Sequence, residues 1–214
     1  RLRRTLEMVD VVRIDHFRGF AAYWEIPASE PTAIHGRWLP GPGFALFDGL
    51  RRRLVALPVI AEDLGLITPD VEELRDRLGL PGMRVLQFAF GGGARNPHAP
   101  GRYLANCVAY TGTHDNDTLA GWIAGGGEGD GRTAEQVERE RARLERYLHL
   151  SRLVSGAPPP AEGGLGWACI ELLLRSRAGA VVVPLQDVLG LGSEARMNTP
   201  GRPEGNWAWR FTWE

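Results

Sequence analysis

Five short segments share one pattern, and that pattern restricts the fold more than any other feature of the chain. They are "DVVRID" (10–15), "PVIAED" (58–63), "MRVLQFAF" (83–90), "NCVAYTGTHD" (106–115) and "AVVVPLQD" (180–187). Each is apolar and β-prone, and most run into polar residues at the C-terminal end. Near-continuous apolar runs suit parallel strands that helices cover on both faces. The intervening stretches supply the helices: "DGLRRRLVAL" (48–57), "TPDVEELRDRLG" (68–79), "RTAEQVERERARLERYLHL" (132–150) and "GWACIELLLRSRAG" (166–179). In the second, Thr68 suits the N-cap, Pro69 the first helical position and Gly79 the stop. The third carries Glu135–Arg139 and Glu145–His149 four residues apart, which predicts a solvated surface helix. Strand and helix in alternation imply an α/β fold with a parallel sheet. "GGGEGDG" (125–131) and "GAPPPAEGG" (156–164) read as surface loops, and the first lacks the Lys and Ser/Thr of a phosphate cradle.

Chemistry collects at the C-terminal ends of strands in parallel α/β folds. Read in order, those ends hold Asp15 and His16, then Glu62 and Asp63, then His114, Asp115, Asn116 and Asp117, then Gln186 and Asp187. Helix caps and turns also use Asp and Asn after strands, but carboxylates at successive ends point to a shared site. Two acids facing one site suit glycoside chemistry, in which one is ionised and the other holds a proton. Arg13 and Asp15 lie two apart on one strand face, an arrangement that favours the charged form of Asp15. Glu62 follows Val59, Ile60 and Ala61, an apolar setting that favours a retained proton. A metal-dependent hydrolase is the rival reading, with His16 and His114 as ligands, although neither HxH nor HExxH occurs.

Composition narrows the partners. A net charge of −1 over 214 residues argues against nucleic acid and against an anionic membrane surface. No run is long enough to cross a bilayer, and no signal-peptide pattern is present. Two cysteines, Cys107 and Cys169, form no CxxC motif, so neither a disulfide framework nor a zinc knuckle is expected, and a cytoplasmic location is. Residues 1–10 read as the last turns of a helix already under way, and 206–214 ends without a stop signal. The expectation is a piece of a longer protein, truncated at both ends.

Several long motifs then carry a resemblance. "VVRIDHFRGF", "AYWEIPA", "IAEDLGLITPDV", "LQFAFG", "YTGTHDNDT", "PLQDVLGLGSEARMNTPG" and "NWAWR" resemble the 4-α-glucanotransferases, or amylomaltases, of the α-amylase clan. The similarity covers almost the whole chain in order and is weakest around residues 125–165. It implies a single (β/α)8 TIM-barrel catalytic domain, of which residues 1–214 supply about strands 4 to 8 with helical insertions. By the same resemblance Asp15 falls on the nucleophile, Glu62 on the general acid/base and Asp115 on a third carboxylate that holds sugar hydroxyls. Arg13 and His114 fall on residues lining the donor subsite. The implied substrates are α-1,4-glucans and maltooligosaccharides, with no cofactor and no metal. The implied reaction is a retaining double displacement with the two carboxyls about 5–5.5 Å apart. The first three strands, a further substrate-contacting region and a lid loop, all needed for a complete site, have no counterpart in the chain, so the piece alone is expected to be inactive. An α-1,4-glucan hydrolase of the same clan, or a non-catalytic barrel fragment, is the alternative.

Aromatic and polar residues outside the acids complete the set. Trp24, Trp38 and Tyr23 are candidates for stacking on sugar, the alternative being that they anchor a loop or fill the core. Trp207, Trp209 and Trp213 alternate along the C-terminal segment and are expected to pack against the barrel. Asn198 and Arg196, in a polar loop after the last strand, are candidates for reaching substrate.

Overall fold

The computed structural model describes residues 1–54, 56–93, 95–126, 131–156 and 164–212. Most of both predicted loops, and Trp213, therefore lie outside the described residues. The chain forms two compact units, Arg1–Met83 and Arg84–Glu214.

The first unit opens with helix α1 (Leu2–Leu6) and strand β1 (Val12–Ile14). A hairpin of β2 (Ala22–Glu25) and β3 (Arg37–Pro40) follows, then helix α2 (Gly43–Arg51), strand β4 (Val59–Ala61) and helix α3 (Pro69–Arg77). β1 and β4 pair in parallel, with Val12 opposite Val59, Arg13 opposite Ile60 and Ile14 opposite Ala61. Val59 and Ala61 are buried against Phe17, Phe47, Val71, Leu74, Leu78 and Leu80, with Ile14 packed on the same cluster. This core draws α2 and α3 onto one face of the strand pair, and burying each Phe contributes about 1.5–3 kcal/mol. α3 has the predicted limits: Thr68 is its N-cap, Pro69 opens it and Gly79 turns away at φ +65°. The Thr68 side chain caps no backbone group. It bonds Asp70 instead and holds that carboxyl below its usual 3.8.

The antiparallel hairpin was not expected. It pairs Trp24 with Trp38 and Tyr23 with Leu39, and closes with a 2.7 Å ion pair between Arg37 and Glu25. It requires glycine at position 36, since a Cβ there would collide with the Trp24 indole nitrogen and with the Glu25 carbonyl oxygen.

The second unit takes in the last two residues of β5 (Gly82–Val85), then β6 (Cys107–Tyr110) and β7 (Ala180–Val182), in the sheet order β5-β6-β7. β6 and β7 are parallel, with Val108 opposite Ala180. Helices α4 (Leu119–Ala124), α5 (Ala134–Ser155) and α6 (Gly164–Leu174) pack on Ala109, Tyr103 and Leu86 through Trp122, Leu144, Leu148, Cys169 and Leu173. α5 is fastened by a capping box between Thr133 and Gln136 and ends at Gly156, φ +65°. Burial pushes the Cys169 thiol up to about 12, so it is an inert core group.

The α/β class and all five predicted strands are present, each shorter than its apolar run. Several details differ, three of them with a plain cause or consequence. α2 starts five residues before the predicted 48, because Phe44 and Phe47, not Leu54, face the core. Glu145 pairs with Arg141 at 3.1 Å, not with His149, since guanidinium bonds carboxylate more strongly than imidazole does. Gln186 and Asp187 lie on a short helix, α7 (Leu185–Val188), not at the tip of a strand.

Candidate active site

In the first unit Asp15 and Glu62 are the next residues along two parallel strands in register. Glu62 N–H donates to Ile14 C=O at 3.0 Å, and Phe17 N–H returns a bond to Glu62 C=O at 3.1 Å. Arg13 shares the strand face of Asp15 and binds its carboxylate at 2.8 Å. Its Nε also lies 3.3 Å from the Met83 sulfur. The Asp15 side chain is otherwise open, 76% exposed, which leaves an oxygen free to meet a ligand.

Glu62 is held differently from the expectation. Its carboxylate accepts the His16 N–H at 2.6 Å and the Leu64 N–H at 2.8 Å, so its surroundings are a backbone cradle and not an apolar wall. The first donor comes from a sharp turn: His16 sits in the left-handed region at φ 48°, uncommon for any residue but glycine. Strain of this kind persists where neighbours over-determine it. Here the 3-10 turn Phe17–Phe20, anchored by fully buried Phe17, fixes one side, and the bond to Glu62 fixes the other.

Tyr23, Trp24 and Trp38 lie on the hairpin that follows this turn. Trp24 donates its indole N–H to Ala33 C=O at 2.9 Å and packs edge-on against Trp38, ring centres 5.4 Å apart. Its anchoring role in the loop is therefore present, while half of Trp38 remains exposed.

In the second unit the turn after β6 presents His114 and Asp115. Asn116 folds this turn by accepting from both the N–H and the O–H of Thr113 at 2.8 Å. A loop from 196 to 207 closes on it. Asn198 donates to the Asp115 carboxylate at 2.5 Å, and Arg196 donates to the Asp115 carbonyl at 2.8 Å. Asn198 N–H bonds His114 C=O at 3.1 Å, and the Trp207 ring lies 5.2 Å from the imidazole. Trp207 thus packs on His114 and stays 54% exposed. Asp115 borders a cleft of about 420 Å³ with Gln87, Phe88, Trp122, Arg132 and Glu140.

The other acids singled out in the sequence are interior hydrogen-bond or ion-pair partners. Asp117 is buried and accepts from Ser193 O–H at 2.7 Å. Asp187 accepts from Thr111 O–H at 2.5 Å and Leu119 N–H at 2.6 Å, and burial raises its pKa against the pull of those bonds. Asp63 meets the guanidinium of Arg75 in the interior. Among the described residues no group of three or more His, Cys, Asp or Glu side chains could hold a metal ion.

All 214 residues match the family of 4-alpha-glucanotransferases. The chain belongs to that family. It is 54% identical to a 4-alpha-glucanotransferase of Thermus thermophilus over 99% of its own length, and 47% identical to a chloroplastic/amyloplastic one of Arabidopsis thaliana over 99%. It spans 40% and 33% of the length of those two relatives. An amylomaltase from Streptococcus agalactiae, solved in complex with acarbose, superposes with a TM-score of 0.84 at 33% identity, over 99% of this chain and 39% of the other. Amylomaltase from Corynebacterium glutamicum, at 20% identity and a TM-score of 0.74, shares the fold.

Against this family background, the structure brings Arg13, Asp15 and Glu62 together in one unit and His114, Asp115 and Asn198 in the other. Three residues that shape the surroundings of the candidate acids were missed by sequence reasoning. His16 was noted only as a possible ligand, and its backbone donor role carries no sequence signal. Gln87, which donates to the Asp117 carbonyl at 2.8 Å, is hidden inside an apolar run. Arg18 was legible in principle, as a cation between two phenylalanines in "HFRGF".

Proposed function

We propose that this chain is the C-terminal part of a (β/α)8 catalytic barrel, about strands 4 to 8, that transfers α-1,4-glucan segments between maltooligosaccharides. The observation that carries the reading is the registered pair Asp15 and Glu62 at the tips of adjacent parallel strands, one open to ligand and one cradled by backbone N–H groups. Family membership across all 214 residues supports the reaction class.

In this reading Asp15 attacks the anomeric carbon of a bound glucan while Glu62 gives a proton to the departing oxygen. A covalent glycosyl-enzyme forms with inverted configuration. The 4-hydroxyl of a second glucan then loses its proton to Glu62 and displaces Asp15, and two inversions retain the α configuration. Arg13 orients the attacking carboxylate. Asp115, oriented by Asn198, is the third carboxylate and stabilises the positive transition state through its charge. His114 joins it in holding sugar hydroxyls. Tyr23 and Trp38 offer exposed aromatic faces to an acceptor chain, and a dry site favours sugar over water as acceptor. No cofactor enters these steps, the substrates are α-1,4-glucans, and the cytoplasm is the proposed location. The N-terminal barrel half completes the site, so residues 1–214 expressed alone should show little turnover.

Maltotriose tests the proposal. The complete enzyme should convert it to glucose and a ladder of longer maltooligosaccharides. Shortened products without longer ones would identify a hydrolase instead.

A further inference from the structure

Arg18 stands three residues after Asp15 and is 9% exposed, an unusual setting for a guanidinium without a carboxylate bonded to it. It reaches three places at once. One nitrogen donates to Leu66 C=O at 2.5 Å, in the loop that follows Glu62. The guanidinium carbon lies 4.4 Å from the centre of the Trp38 ring, on the aromatic hairpin. Its own backbone belongs to the turn Phe17–Phe20 that begins after His16. Asp70, near enough to feel its charge, is largely solvated. The Arg18 Nε is buried and makes no hydrogen bond among the described residues.

That last fact argues against a role in stability alone. A buried N–H without a partner costs folding free energy, and an apolar side chain of similar length would avoid the loss. The arginine is better explained by what its planar, fork-shaped head can do and a methionine cannot: stack on an indole and hydrogen-bond a carbonyl at the same time.

We propose that Arg18 is a positioning residue that clamps the turn after Asp15 to the loop after Glu62 and to the face of Trp38. The two carboxylates and the aromatic hairpin then move as one body. This rests on the catalytic reading of Asp15 and Glu62. Glu62 hangs between the two clamped segments, since its carboxylate accepts from His16 in one and Leu64 in the other. Loosening either by an ångström misaligns the proton donor, and errors of that size lower rates about 10²-fold.

The test uses the complete enzyme with Arg18→Met, Arg18→Lys and Trp38→Leu, scored for maltotriose disproportionation and for thermal midpoint. Arg18→Met should still fold and leave KM within about threefold, while kcat falls about 10²-fold. Arg18→Lys keeps the charge but loses the stacked plane, and should lower kcat by about tenfold. Adding Trp38→Leu to Arg18→Met should lower kcat less than the product of the single effects, as groups acting through one contact do. A folded Arg18→Met enzyme with kcat within threefold of the parent overturns the proposal. If Arg18→Met does not fold, a fully active Arg18→Lys enzyme overturns it. Loss of KM alone, with kcat intact, would also overturn it by making Arg18 a binding group. Failure of the catalytic reading is seen separately, in the parent background: an Asp15→Asn enzyme as active as the parent would remove both.

Discussion

Replacing Arg75 by leucine should damage the first unit more than any surface change, and the structure sets the scale. Asp63, the residue after Glu62, has a side chain only 2% exposed. One of its oxygens meets the Arg75 guanidinium, and the other accepts the Met83 N–H at 2.6 Å. Gly82 lies against the same carboxylate so closely that a Cβ there would overlap it. The ion pairs with Asp76 and Asp63 raise the Arg75 pKa even though burial opposes its charge. Arg75→Leu takes away the guanidinium bonded to a buried carboxylate, and removing one partner of such a pair costs about 3–5 kcal/mol. Asp63→Asn combined with Arg75→Leu removes both charges of the pair while an amide oxygen can still accept from Met83. That double variant should lose only about 1–2 kcal/mol, the worth of one or two neutral hydrogen bonds. Urea unfolding of the complete enzyme followed by far-UV circular dichroism reads both, through midpoint shifts at unchanged slope. A single variant that loses less than about 1 kcal/mol, or a double variant as unstable as the single, would refute the argument that breaking the buried ion pair is the dominant loss.

Three further outcomes are expected. Glu62→Gln should lower turnover about 10²–10⁴-fold, and Asp15→Asn should abolish the glycosyl adduct; mass spectrometry finding that adduct on another residue would displace the assignment. Asp187 has its folded pKa raised by burial, so between the ordinary 3.8 and the higher folded value the folded state holds more protons than the unfolded one. Stability should therefore decline as pH rises through that window, and the decline should be shallower in Asp187→Asn; parallel melting curves against pH would contradict this. Gly36→Ala should destabilise the hairpin by about 1–3 kcal/mol through its clash with the Trp24 indole, detected as a lower thermal midpoint and altered tryptophan fluorescence.

What could be read in advance follows from what periodicity encodes. The strands β1, β4, β5, β6 and β7 were visible because long apolar runs demand burial on both faces, and α3 because Thr68, Pro69 and Gly79 mark its limits locally. The hairpin was invisible because "AYWE" and "RWLP" pair across a loop of eleven residues, and nothing local states that register. Asp15 and Glu62 were legible as strand-end acids, whereas Asp63, Asp117 and Asp187 look identical in sequence and turn out to be interior hydrogen-bond acceptors. Burial, a property of the whole fold, separates the two groups. The cradle beneath Glu62 was missed for a related reason: backbone donors are common to every residue and reveal themselves only when a bend such as that at His16 aims them.

The ladder joining Ile14, Glu62 and Phe17 also bears on which reactions this scaffold can evolve toward. Adjacent strands run about 4.7–4.9 Å apart, close to the gap between carboxyls in enzymes that preserve anomeric configuration and well short of the about 6.5–9.5 Å used by those that reverse it. In the proposed mechanism that main-chain spacing favours retention, and room for a water between the two acids would have to come from shortening a side chain at position 15 or 62. A carboxylate recruited from a more distant strand is the other route by which such a scaffold could reverse its stereochemical outcome.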